Sequence, residues 1–72
     1  MSDIKYEIKE TLIVFPATGK WHKELNLISW NDRPVKYDLR PWNDDRSEMG
    51  KGITLTKDEL ETLKEKLGGI DL

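Results

Sequence analysis

The residues best suited to holding a ligand lie between two tryptophans. The stretch Trp30-Asn-Asp-Arg-Pro-Val-Lys-Tyr-Asp-Leu-Arg-Pro-Trp42 sets Arg33, Lys36 and Arg40 between two large rings. Strand side chains alternate between faces, so a strand from Val35 to Trp42 puts Val35, Tyr37 and Leu39 on one face and Lys36, Asp38, Arg40 and Trp42 on the other. The first set is a candidate core. The second interleaves cations with an aromatic, the combination that tracks phosphates while stacking unpaired bases. Asp38 lies among the cations, where it either pairs with Arg40 or a neighbouring strand's cation and holds the fork in place, or lowers the local field.

Other residues that could do chemistry carry less. His22 is the single histidine, and no Ser-His-Asp pattern, metal-ligand spacing or glycine-rich phosphate loop accompanies it. It reads as a solvated strand residue. An enzyme is not indicated, and neither a metal nor a cofactor is expected. Trp21, Trp30 and Trp42 are heavy use for 72 residues. Core packing accounts for such rings in a small domain. Trp30 and Trp42, however, stand at strand ends beside polar turns, where a ring is partly exposed and free to stack. Lys20, Lys23, Arg33, Lys36, Arg40 and Lys51 suit either a solvated face or a phosphate track.

Length and composition bound the rest. A chain of 72 residues makes one domain, 1–72, and buries barely enough apolar area to offset its ordering entropy. With no Cys, disulfides and thiolate zinc sites are excluded, which leaves self-association as the remedy. No apolar run approaches the roughly 20 residues of a membrane span, and no signal-peptide pattern opens the chain. A cytoplasmic protein without a membrane partner is expected. The formal net charge of −2 argues mildly against nucleic acid, but it is unevenly spread. Residues 20–51 carry seven Lys or Arg against six Asp or Glu, and residues 57–72 carry three against five. The whole-chain value therefore understates a local basic face.

The elements that must position these residues follow from local pattern. Ile4 to Phe15 reads as a strand, with Tyr6, Ile8, Glu10 and Leu12 alternating against Lys5, Glu7, Lys9 and Thr11. Pro16-Ala-Thr-Gly-Lys20 marks a turn into a second strand from about Trp21 to Trp30. There Trp21, Lys23, Leu25, Leu27 and Ser29 share one face and Glu24, Asn26, Ile28 and Trp30 the other. Neither is cleanly apolar, and alternation alone does not assign the core side. Asn31-Asp-Arg-Pro34 is a turn, the third strand runs from Val35 to Trp42, and 43–50 is a polar loop. Lys51 to Leu55 is short and β-prone. Thr56-Lys-Asp-Glu59 is a capping box, Leu60, Leu63 and Leu67 recur at helical spacing as core or dimer contacts, and Gly68-Gly69 closes the helix at a C′ position. The fold class is α+β: four antiparallel strands, then one amphipathic C-terminal helix.

Several of these pieces together resemble a known family. Lys36-Tyr-Asp-Leu-Arg40, then Trp42, an acidic loop, Met49-Gly-Lys-Gly-Ile-Thr-Leu55 and a capped helix are similar to the transcriptional positive-cofactor-four (PC4-like) coactivator family. Trp21-x-Lys-Glu-Leu-Asn26 and Ser29-Trp-Asn-Asp32 bring the match closest to its small bacterial YdbC-type members. The resemblance covers about residues 4–67. It implies a curved four-stranded sheet, a homodimer formed largely through the helices, and single-stranded DNA as the partner. By position it implies contacts from Trp30, Arg40, Trp42 and Lys51. Lys23 and Lys36 join them by face and charge, and Trp21 and Arg33 complete the candidate set. The Ser- and Lys-rich N-terminal region of eukaryotic members has no match here, so regulation through such a tail is not implied.

The sequence thus favours a homodimer that binds single-stranded DNA with little sequence preference, in transcription, replication or repair, with RNA left open. The rival is a β-rich module that docks a protein segment in an aromatic-lined groove. The two differ in salt dependence. Phosphate binding lowers log affinity with log salt by about 0.7 per neutralised phosphate on a single strand, whereas peptide docking in an apolar groove barely responds.

Overall fold

Local rules in the sequence produce each element, and pairing then decides which faces are buried. The computed structural model describes residues 5–71. Its elements are β1 (Tyr6–Val14), β2 (Trp21–Trp30), β3 (Lys36–Asn43), β4 (Ile53–Leu55) and α1 (Lys57–Leu67). The strands form one antiparallel sheet in the order β1-β2-β3-β4. The expected first strand began at Ile4, which lies outside the described residues.

The turns use the residues their geometry requires. Gly19 takes φ 65° between β1 and β2, while the Thr18 N–H donates to the Trp21 carbonyl at 2.7 Å. Between β2 and β3, Asn31 (φ 51°) and Asp32 (φ 61°) are both left-handed, and the Arg33 N–H donates to the Trp30 carbonyl at 2.9 Å. Asn and Asp tolerate this region best after glycine, and two such residues in succession match the right-handed twist of the strands.

β1 departs from simple alternation. Its register with β2 shifts between Ile8 and Glu10 and again between Thr11 and Ile13, so Lys9 and Leu12 are extra residues. Each bulge resets the face. Tyr6, Ile8, Thr11 and Val14 therefore share the face of Trp30, Ile28, Asn26 and Glu24, while Glu10 and Ile13 share that of Leu27 and Leu25. The grouping of Glu10 and Leu12 with Tyr6 and Ile8 is corrected.

Both faces of β2 are buried. On one, which carries Trp30 and Trp42, Glu24, Asn26, Ile28, Asp38 and Trp42 are buried. On the other, Leu25 is buried opposite Leu39, and these two with Leu55 lie beneath the α1 leucines. The assignment of Val35, Tyr37 and Leu39 to the core against a solvated Lys36-Asp38-Arg40-Trp42 face is thereby corrected. Tyr37 and Leu39 are half-buried, Asp38 and Trp42 fully buried, and Val35 is 46% exposed. Val35 lies ahead of the first β2–β3 pair, Ile28 with Lys36, and so has no strand opposite it.

The helix begins as its capping box dictates. Thr56 Oγ1 accepts from the Glu59 N–H at 3.1 Å, and Glu59 Oε1 accepts from the Thr56 N–H at 2.8 Å. It ends after Leu67, where the paired glycines were expected to close it. Gly68 stays right-handed at φ −63°, and the Gly69 N–H donates to the Lys66 carbonyl at 3.0 Å. A tightened last turn, not a left-handed glycine, satisfies the terminal carbonyls. Leu60 is half-buried, whereas Leu63 and Leu67 stay 42% and 44% exposed.

Gly52, just before β4, is required for a steric reason. A Cβ there would lie 2.2 Å from Arg40 Cβ and 2.4 Å from the Leu39 carbonyl oxygen, so β4 reaches β3 only because residue 52 has no side chain. Gly52→Ala should destabilise the fold by about 1–3 kcal/mol, the usual cost of overpacking, read as a lower urea midpoint.

Candidate functional site

The best-organised polar group on the sheet is built on β3 and β2. Asp38 and Arg40, two apart on one strand, share a face, and the guanidinium forks onto the carboxylate. Arg40 Nε donates to Asp38 Oδ1 at 2.6 Å, and Nη2 donates to Oδ2 at 2.6 Å. Such bidentate charge-assisted pairs fix geometry as well as charge. The same guanidinium lies 4.8 Å from the centre of the Trp30 ring, and its Nη1 approaches Met49 Sδ at 3.5 Å. Trp30 in turn packs on Tyr6, with centroids 5.5 Å apart, and Tyr6 on Trp42 at 5.9 Å. Pairing of Tyr6 with Trp30 at the open end of the β1–β2 hairpin places these rings side by side.

In front of this stack is an open pocket of about 390 Å³, lined by Trp30, Asn31, Arg33, Pro34, Lys36, Arg40 and Thr54. The β2–β3 turn brings Arg33 and Lys36 to its rim. Both are exposed, and neither forms an ion pair among the described residues. The pocket therefore offers a flat aromatic floor and two uncompensated cations within one volume.

A second polar group adjoins the Asp38–Arg40 pair on the same face, with Glu24 opposite Arg40 and Asn26 opposite Asp38. Glu24, buried, accepts from Asn26 Nδ2 at 3.1 Å and pairs with Arg46 Nη2 at 2.7 Å, and His22 Nε2 bonds its other oxygen. Arg46 Nη2 also donates to Thr11 Oγ1 at 2.8 Å, tying the 43–50 loop to β1. Burial pushes the Glu24 carboxyl up, but hydrogen bonds from Arg46, Asn26 and His22 and the charge of Arg46 outweigh it, so the acid sits below its ordinary value. Asn26 Oδ1, Trp30 Nε1 and Trp42 Nε1 are buried and find no hydrogen-bond partner among the described residues.

The structure divides the residues singled out from sequence. It brings Trp30, Arg33, Lys36 and Arg40 together in one pocket. Trp42 is fully buried beneath Tyr6, which corrects its expected role as an exposed stacking ring. A position opposite His22, inside the β2–β3 ladder, outweighs its place at a strand end. Trp21 and Lys23 lie on the other face, opposite Asn43 and Pro41, and Trp21 carries Lys20 Nζ 5.5 Å above its ring. Lys51 is exposed ahead of β4 and does not line the pocket. His22 is bonded to Glu24 with its side chain only 13% exposed, so its reading as a solvated residue is corrected. Two participants escaped the sequence. Asn31 was legible only as a turn former, and Arg46, in a polar loop, contacts a carboxylate 22 residues away that no periodicity connects to it.

A known family and a known sequence are similar to this chain. A family model for Transcriptional Coactivator p15 (PC4) matches residues 18–66, which span β2, β3, β4 and nearly all of α1. An uncharacterized protein of Treponema pallidum (strain Nichols) is 44% identical over 71 residues, covering 97% of this chain and 84% of that one.

The Glu24 network has a definite pH signature. A carboxyl whose folded value lies below its ordinary 4.5 contributes stability in full above 4.5, and loses it as pH falls through the folded value. Urea unfolding should therefore show stability declining on acidification below about 4.5. Glu24→Gln should cost about 1–2 kcal/mol at neutral pH and flatten that acid limb, because the uncharged amide gains nothing from Arg46.

Proposed function

The chain belongs to the transcriptional coactivator p15 (PC4) family, and from that premise we propose that it binds single-stranded DNA through the pocket at the β2–β3 turn. One observation carries the reading: the ring of Trp30 and the unpaired charges of Arg33 and Lys36 face a single open volume of about 390 Å³. An unpaired base stacks on the ring whatever its identity, and the flanking phosphates meet the two cations. Duplex DNA keeps its bases stacked on one another and offers the ring nothing. The family is nucleic-acid-binding and not enzymatic. We read the chain as one of its small YdbC-type members, working in replication, repair or transcription.

The same reading includes a homodimer. Between α1 and the sheet lies an open groove of about 430 Å³, lined by Ile13, Phe15, Leu25, Leu39 and the leucines of α1. Its floor is almost wholly apolar, and no residue of the helix is buried within one chain. A chain this short gains most by covering that surface with a second copy. The groove is on the face opposite Trp30, so pairing through it leaves the pocket open.

Two measurements test these statements. Titration with oligo-dT should quench tryptophan fluorescence, with log affinity falling linearly in log salt, and duplex DNA should not quench. Trp30→Phe should remove most of the quench, because Trp42 is buried and Trp21 lies on the other face. Lys36→Ala should lower the salt slope by about 0.7. An affinity indifferent to salt would favour the peptide-docking rival, and a single-stranded RNA arm decides between the nucleic acids. Sedimentation should give a dimer that Leu63→Lys converts to monomer; a wild-type monomer at micromolar concentration would end the dimer reading.

A further inference from the structure

The geometry points to Asp38 as a positioning residue that converts Arg40 from a phosphate-binding cation into a neutral stacking plate. This rests on the proposal that the pocket binds single-stranded nucleic acid. A guanidinium that serves phosphates needs free N–H groups and uncompensated charge. Arg40 has little of either. Two of its edges are bound to the Asp38 carboxylate, a third meets Met49 Sδ, and its side chain is only 15% exposed. Asp38 is wholly buried, so the pair is held out of water, where the two charges cancel at close range. What remains is the flat π-surface. One side of it rests on Trp30, 4.8 Å from the ring centre, and the residue contributes to the pocket wall.

Three contacts hold the plate still. The Asp38 fork fixes its rotation, the Trp30 ring its tilt, and Gly52 permits β4 to close against Arg40 Cβ with no intervening side chain. Lys36, on the same face and strand, has none of these restraints and keeps its charge. The two β3 cations therefore divide the work: Lys36 and the neighbouring Arg33 take phosphates, whereas Arg40, backed by the Trp30 ring, offers the other side of its plane to a base. Arginine guanidinium planes stack on aromatic systems in a way that an ammonium cannot.

The test compares oligo-dT with an abasic oligonucleotide of the same length, each titrated across a salt series. Arg40→Lys retains the charge and removes the plane. It should weaken oligo-dT binding by roughly fivefold or more, the lower end of the cost of losing one stacking partner, while leaving abasic binding and the salt slope unchanged. Asp38→Asn keeps the side chain's shape and frees the Arg40 charge, so it should steepen the salt slope by about 0.7 and tighten abasic binding. A purely structural Asp38 would weaken both ligands and steepen nothing. Equal loss of the two ligands in Arg40→Lys overturns the assignment, and that variant alone decides should Asp38→Asn fail to fold. Lys36→Ala is the separate control, expected to weaken both ligands alike and lower the salt slope, and a wild-type chain that binds neither ligand would end the nucleic-acid reading itself.

Discussion

A carboxylate taken out of water must be matched by cations and donors or it will not stay charged. That constraint organises this protein, because two acids are buried on one face of its sheet. Asp38 is met by the fork of Arg40, and Glu24 by Arg46, Asn26 and His22. Each pairing also fastens something mobile. The first fixes a guanidinium against Trp30 at the pocket, and the second ties the 43–50 loop across to β1 at Thr11. The two pairs are neighbours across β2 and β3, Glu24 opposite Arg40, and the buried Ile28 and Trp42 flank them along the strands.

The result is a sheet with two different faces. One carries both buried ion pairs, and the exposed cations Arg33 and Lys36 stand at the rim of its pocket. The other is apolar and left open beneath a helix that buries nothing completely. The apolar side is the one that the single chain leaves uncovered. Charge compensation inside Asp38–Arg40 and Glu24–Arg46 removes equal numbers of both signs, and Arg33 and Lys36 at the pocket are among the cations left outside those pairs.

Much of the fold was legible because it rests on short-range rules. The β2 boundaries, both turns before β3 and the capping box at Thr56 depend on neighbours within about four residues. β1 was less legible. Bulges at Lys9 and Leu12 come from pairing with β2, not from any residue in β1 that demands them. At the site, the shared face of Lys36, Asp38 and Arg40 and the place of Trp30 beside the turn were readable from alternation and turn position, whereas the choice of Arg40 as the partner of Asp38 was not. The depth of Trp42 was not, since a ring at a strand end is exposed or buried according to what the neighbouring strand places over it.

By itself, then, the sequence determined the order of elements, the separation of Lys36, Asp38 and Arg40 from Tyr37 and Leu39, and the crowding of cations and aromatics near the β2–β3 turn. These follow from strand periodicity and local hydrogen-bond chemistry. Tertiary structure alone decided which of the aromatics is free, which of the cations is spent and that His22 belongs to a buried network. Those outcomes depend on side chains that approach across strands and loops, such as Tyr6 over Trp42 and Arg46 onto Glu24. Burial and charge pairing are properties of such contacts, and no spacing within a single strand encodes them.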